Sequence, residues 1–299
     1  MTTATIGWEL YRSFLGVLTE GSLSGAARAL GLTQPTIGRH IEALEKALGI
    51  VLFTRSPTGL LPTGAAVSLR SYAETMQNNA AALERAASSQ GGKGIVKGTV
   101  RIGCSDVIGV EVLPAMIARL RETHPQLKVE LVLTDRVQDL LRREVDIAVR
   151  MVQPKQEQLV ARRIGRIDVG LHARRDYLER HGTPRTLDEL ATHSTIGYDQ
   201  LTAYLRRAER SLKGLRRDLF SLRSDSNIAQ LALIRAGAGI GMCQAPLARR
   251  DGRLVRVLPK KVALPLETWV TMHEDLRSSA HCRVAFDALV GGLVAYLGS

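Results

Sequence analysis

Cysteine is nearly absent from this chain. Only Cys104, Cys243 and Cys282 occur in 299 residues, too few and too widely spaced for a disulfide framework, a zinc site or an iron–sulfur cluster. No run of about 18 apolar residues suggests a membrane span. The opening MTTATIGWELYRSF lacks the shape of a signal peptide. The expectation is a cytoplasmic protein with no membrane partner. Histidine carries no catalytic motif either. His40, His124, His172, His181, His193, His273 and His281 are scattered, without a nucleophile–base–acid set around them. No cofactor, metal or catalytic residue is therefore assigned.

What is present begins with length. The 299 residues are too many for one typical core, and 45% hydrophobic with 23% charged is ordinary globular composition. The net charge of +12 invites a nucleic-acid reading, but the surplus is unevenly placed. Residues 1–62 hold five basic and four acidic residues, whereas residues 166–265 hold 19 and 10. The excess assists association with a polyanion. It does not locate a DNA reader in the N-terminal stretch.

That stretch has a different signature. Residues 22–48, SLSGAARALGLTQPTIGRHIEALEKAL, read as two helices around a tight turn. Ser22 is suited to cap the first helix and Thr33 the second. Pro35 falls in the first turn, where its missing N–H costs little. At about 100° per residue, Ile37, Ile41, Leu44 and Leu48 share one face, with Pro35, Arg39, Glu42 and Lys46 opposite. An outer face and tip carrying Gln34, Thr36 and Arg39 can enter a major groove, where Arg pairs with guanine and Gln with adenine. The same pattern also describes an ordinary helical hairpin with a solvated face.

The surrounding segments add context. Residues 7–19 form a helix whose Leu10, Phe14, Val17 and Leu18 can pack on that hairpin. VLFTRSPTGLLPT holds two short β-like runs around Ser56-Pro57-Thr58-Gly59, which suggests a wing; Arg55 and Thr58 near its tip can touch phosphates or remain solvated. Thr63 caps a long helix in which Ala65, Leu69, Tyr72, Met76, Asn79, Leu83 and Ala86 form a heptad seam. Self-association or packing on the chain's own domains would bury it. A Gly/Ser-rich hinge follows. Beyond it TVRIGC (99–104), VELVL (129–133) and DIAVR (146–150) alternate with helices at 107–122 and 136–143, which predicts a parallel doubly wound sheet. Further strands are expected at 169–173, 195–198, 240–243 and 266–273, with a last helix from about 281 to 297. The glycines at 237, 239 and 241 follow a helix and open a strand, the reverse of a dinucleotide loop.

Taken together, AARALGLTQPTIGRHIEALEKALGIVLFTR, SPTGLLPTGAA, VRIG, HPQLKVEL, DLLRREVDIAVR and DSNIAQLALIRAGAGIGMCQ resemble a LysR-type transcriptional regulator over essentially the whole length. The resemblance implies an α/β multidomain protein. It has a winged helix-turn-helix (1–62), a linker and dimerisation helix (63–90), a hinge (91–98) and an effector domain (99–299). The last resembles periplasmic solute-binding proteins, with lobe I over 99–165 and 266–299, lobe II over 166–265, and crossovers near 162–166 and 262–267. By position it assigns DNA contacts to Ser24, Thr33, Gln34, Pro35, Thr36, Arg39, His40 and Arg55. A small-molecule co-inducer of unspecified identity falls to Ser105, Asp106, Val107, Thr134, Arg150, Tyr198, Asp225, Ser226 and Cys243. Dimerisation falls to Leu69, Tyr72, Met76 and Leu83. The implied partners are promoter DNA, the co-inducer and further copies of the chain, commonly as a homotetramer. Gly38 departs from the pattern, since the family often has Ser before the helix Arg.

Three alternatives bear on the same residues. A cytoplasmic α/β enzyme would need the catalytic set that is missing. A solute carrier would need an export signal. Redox sensing would need Cys104 and Cys243 to approach each other across the cleft.

Overall fold

The computed structural model describes residues 6–56, 59–88, 96–134, 144–154, 156–200 and 215–298. The wing-tip residues Pro57 and Thr58, most of the expected hinge, and the helix expected at 136–143 lie outside them. The chain divides into two compact units, residues 1–84 with 142–144, and residues 85–141 with 145–299.

In the first unit, α1 (Trp8–Glu20), α2 (Leu23–Leu30) and α3 (Gln34–Leu48) surround one small core. Phe14, Val17 and Leu18 of α1, Ala26 and Ala27 of α2, and Ile37, Ile41 and Leu44 of α3 are buried together. The caps form as the sequence predicts: Ser22 Oγ accepts the Gly25 N–H at 3.0 Å and Thr33 Oγ1 accepts that of Thr36 at 3.4 Å. Gly31, at φ +67°, makes the left-handed turn that ends α2, a conformation costly for other residues. Strands β1 (Phe53–Ser56) and β2 (Gly59–Pro62) pair antiparallel as the wing. Phe53 reaches back to Phe14 with ring centroids 5.8 Å apart. Helix α4 (Gly64–Ser88) starts at Thr63, whose Oγ1 accepts the Ala66 N–H, and buries Ala66 and Ala73 in the same core.

The second unit is built on β3 (Gly98–Cys104), β4 (Leu127–Leu133), β5 (Ile147–Arg150), β6 (Leu159–Arg174), β7 (Thr195–Gly197), β8 (Leu222–Arg223), β9 (Ile240–Gln244), β10 (Leu254–Arg256) and β11 (Leu264–His273). The sheet order is β4-β3-β5-β11-β6-β9-β7-β8, with β10 beside β6. The parallel sheet expected for the strands at 99–104, 129–133 and 146–150 forms as β4-β3-β5, but the full sheet is mixed. Two parallel sets, β4-β3-β5 and β9-β7-β8, are joined by antiparallel pairings of β6 and β11. The reason is that β6 leaves lobe I and β11 returns to it, so the two run in opposite senses and pair along their length. The expected crossovers fall in the middle of β6 and the start of β11. Their register shifts between Thr268 and Trp269, opposite Gly165, which adopts φ +148°.

Helices α5 (Leu113–Thr123), α6 (Arg175–His181), α7 (Asn227–Ala236), α8 (Ala245–Asp251) and α9 (Ala280–Gly298) flank the sheet. A π turn, Ile108–Val112, precedes α5 where the sequence predicted unbroken α-helix. Pro114 lacks the N–H that would bond Val110, and Leu113 N–H instead reaches the Ile108 carbonyl, a five-residue step. Helix α9 is long and apolar enough on average to cross a membrane by length and composition, although Arg283 and Asp287 interrupt it. Its Cys282, Ala285, Phe286, Leu289, Leu293 and Tyr296 fill the second unit's core, which accounts for the composition.

Candidate nucleic-acid interface and effector cleft

Gln34, Pro35 and Arg39 are exposed on the tip and outer side of α3, and Thr36 is half-buried beside them. Ser24 of α2 donates its hydroxyl to Gln34 Oε1 at 2.9 Å, which orients the amide. The Thr33 and Thr36 hydroxyls lie 2.8 Å apart. His40 is different: half-buried, its Nδ1 lies 2.7 Å from the Oγ of buried Ser13, so its ring ties α3 to α1. Arg55 is exposed on β1, opposite Leu60. The outer-face reading placed no function on Glu45. Its Oε1 accepts the N–H groups of Leu52 and Phe53 at 2.6 and 3.2 Å, fixing where the wing leaves α3. Nothing local in the sequence separates this carboxylate from Glu42, which is exposed.

The residues of the predicted seam divide. Leu69 packs against the first unit's own core, while Tyr72, Met76 and Leu83 are 69%, 39% and 71% exposed. Val67, outside the predicted seam, is exposed as well.

In the second unit, Ser105, Asp106 and Val107 follow the carboxyl end of β3 and are half-buried. Thr134 joins them at the same edge, its N–H donating to the Cys104 carbonyl at 2.9 Å. Arg150 is buried at the end of β5, opposite Trp269. On the other lobe, Ser226 caps α7 by accepting the Ala229 N–H. Asp225 accepts the N–H groups of Asp199 and Gln200 at 3.0 and 2.7 Å, which closes the loop after β7 onto α7. Tyr198 is in the core of lobe II, edge-on to Phe220 at 5.2 Å. Two clusters thus form, one at each set of parallel strand ends, where ligands of open α/β sheets bind.

The thiols are quiet. Cys104 and Cys243 are buried, and burial pushes both up to about 12, with the Asp106 charge adding to it at Cys104. A thiol held protonated is a poor nucleophile and a slow target for oxidants. Sequence reasoning missed the contacts that hold the lobes together. Glu111 of the π turn accepts two hydrogen bonds from Arg235 of α7, at 2.7 and 2.8 Å, and Arg235 also pairs with Asp251. Tyr296 donates its hydroxyl to Gln244 Oε1 at 2.7 Å, both buried. Glu111 and Arg235 are 124 positions apart, beyond any local pattern.

Comparison with known proteins bears on both units. Residues 8–67 match the bacterial regulatory helix-turn-helix protein model of the lysR family, and residues 93–293 match the LysR substrate binding domain. The chain is 31% identical over 186 residues to an HTH-type transcriptional regulator of Xanthomonas campestris pv. campestris, 61% of this chain and 53% of that protein. It is 29% identical over 189 residues to CrgA of Neisseria meningitidis, spanning 62% of each chain. With the probable regulator LtrA of Klebsiella pneumoniae it shares 26% identity over 285 residues, 92% of this chain and 91% of that one. The fold is shared with full-length AphB of Vibrio cholerae, with a TM-score of 0.61 at 22% identity over 95% of this chain and 99% of that one. It is also shared with full-length CbnR, at 0.65 and 19%, over 96% and 99%. The chain belongs to the LysR family of bacterial helix-turn-helix transcriptional regulators.

Proposed function

We propose that this protein is a sequence-specific regulator of transcription that responds to a small molecule. Helix α3 enters the major groove, with Gln34 and Arg39 reading bases and Thr33, Thr36 and Arg55 touching phosphates. The observation that carries this reading is the exposed tip and outer face of α3, next to a wing that Glu45 fixes in place. CbnR, a relative in fold, has been solved in complex with its target DNA, which supports the same use of this unit. The co-inducer binds between the two strand-end clusters, around Ser105, Thr134 and Ser226, and shifts an equilibrium between DNA-bound arrangements of a dimer or tetramer. Tyr72, Met76 and Leu83 of α4 supply apolar surface for that assembly.

Fluorescence anisotropy with duplexes from the protein's own promoter region tests the first part. Arg39→Ala and Gln34→Ala are each expected to cost about 1–3 kcal/mol in binding and to relax selectivity at one base position. Retained selectivity in both variants rejects α3 as the reader. A thermal-shift screen of metabolites against the full chain tests the second part; a hit whose shift survives Ser105→Ala with Ser226→Ala binds elsewhere.

A further inference from the structure

The basic surplus is not where the DNA reader is. Residues 1–62 carry a net charge of only +1, from five basic and four acidic residues, while residues 166–265 carry +9. A protein that holds DNA at physiological salt generally neutralises several phosphates with Lys or Arg, beside the neutral contacts that hydroxyls and backbone N–H groups make. The first 62 residues alone supply few such cations.

Part of the lobe II surplus lies along β10. This strand pairs with the end of β6, Leu254 opposite Arg174 and Arg256 opposite His172. At its start, Arg253 is exposed and its carbonyl accepts the Arg175 N–H at 2.9 Å. Arg249 of α8 and Pro259 beyond β10 line one groove of about 310 Å³ with Arg256. Lys260 and Lys261 follow directly and are exposed. The extended part is short: β10 covers Leu254–Arg256, and the backbone then turns, with the Lys261 N–H donating to the Leu258 carbonyl at 2.9 Å, so Lys260 and Lys261 stand together on one exposed turn.

The acids of this strip are already paired. Asp168 holds Arg256, Asp176 holds Arg174, and Asp251 holds both Arg235 and Arg253. Among the described residues Arg175, Lys260 and Lys261 make no ion pair, and Arg249 and Arg175 are exposed. The strip therefore presents net positive charge to solvent, the complement of a phosphate backbone.

We infer that the strip from Arg175 through Arg249 to Lys260 and Lys261 is a second, sequence-independent contact for the phosphate backbone of double-stranded DNA. This rests on the protein binding DNA through its first unit. The strip adds affinity and salt dependence, and α3 keeps the base selectivity. Its basis is charge complementarity, together with the scarcity of cations around α3.

The test uses the full-length protein and anisotropy titrations over a range of salt, on a promoter duplex and a scrambled one. One variant carries Arg175→Gln, Arg249→Gln, Lys260→Gln and Lys261→Gln. A control carries Arg119→Gln, Lys128→Gln, Arg277→Gln and Arg283→Gln, four exposed cations of lobe I, so both lose the same net charge. The strip variant is expected to flatten the slope of log affinity against log salt by about 0.9 for each lost phosphate contact, on both duplexes, with its promoter-to-scrambled ratio unchanged. The control is expected to keep the wild-type slope. A strip variant with the wild-type slope, or one flattened no more than the control, overturns the inference. Wild-type protein that binds neither duplex instead defeats the underlying DNA-binding reading. Thermal melting of both variants verifies that the fold is intact.

Discussion

Gly38 offers a sharp test of how local environment sets the sign of one chemical change. It is the fifth residue of α3, within regular right-handed helix. Glycine in a helix interior is less favourable than alanine by about 0.8–1.0 kcal/mol, because its backbone loses more freedom on folding. A Cβ added there would meet only Leu23 Cδ1, at 3.9 Å, an ordinary van der Waals contact. Gly38→Ala is therefore expected to stabilise the first unit by about 0.5–1 kcal/mol. Gly16 in α1 is the contrast. Its Cβ would stand 3.0 Å from Leu30 Cδ1 and 3.4 Å from Ala26 Cβ, so crowding offsets the propensity gain and the net change is expected near zero. Gly292 in α9 has Met116 Sδ at 2.5 Å, but this is the flexible end of a half-buried side chain that can swing aside, so alanine there is also expected to be close to neutral. The chain has two tryptophans, Trp8 in the first unit and Trp269 in the second. Urea unfolding followed by Trp8 fluorescence in a Trp269→Phe background reads the first two variants, and native Trp269 fluorescence reads the third. A Gly38→Ala protein less stable than the parent, or Gly16→Ala more stabilised than Gly38→Ala, would refute the reasoning.

Three further outcomes follow from the second unit. Burial lowers His172 to about 4 from an ordinary 6.5, beside the Arg256–Asp168 pair, so its neutral form is the folded one. Its folded pKa is depressed, so this contribution, about 3 kcal/mol, is complete above pH 6.5 and is lost as pH falls towards 4. His172→Gln should flatten the dependence of urea stability between pH 7.5 and 5, and an unchanged slope would contradict the assignment. The Glu111–Arg235 pair, with side chains 20% and 32% exposed, should show a coupling of about 1 kcal/mol in a double-mutant cycle with Glu111→Gln and Arg235→Gln. Strictly additive effects would remove it as a link between lobes. Cys104 and Cys243, both raised to about 12, should resist a thiol reagent at pH 7.5 in native protein and react once urea unfolds it; fast native labelling of either would reopen redox sensing.

Much of the first unit was legible in the chain. Helical period, two cap residues and Gly31 define α2 and α3 through interactions within four residues, and the buried face of α3 followed from angle alone. The role of His40 was not legible, because its partner Ser13 is 27 positions away. Leu69 had the right period for a dimer seam, yet period cannot tell one apolar surface from another, and the structure packs it on the unit's own core.

Strand positions in the second unit were also readable, since Val- and Ile-rich runs announce themselves. The parallel direction of β3, β4 and β5 followed from their alternation with helices, but the antiparallel course of β6 and β11 did not, because hydropathy is the same whichever way a strand pairs. What the sequence determined by itself is whatever depends on near neighbours: the helix-turn-helix, the two wing strands, the alternation of strands and helices, and the displacement of charge towards lobe II. Only the tertiary structure decided the antiparallel return of β11 along β6, the Glu111–Arg235 link and the gathering of Arg175, Arg249 and Lys260 along β10. Those depend on residues brought together by packing from distant parts of the chain, and no local interaction encodes which ones meet.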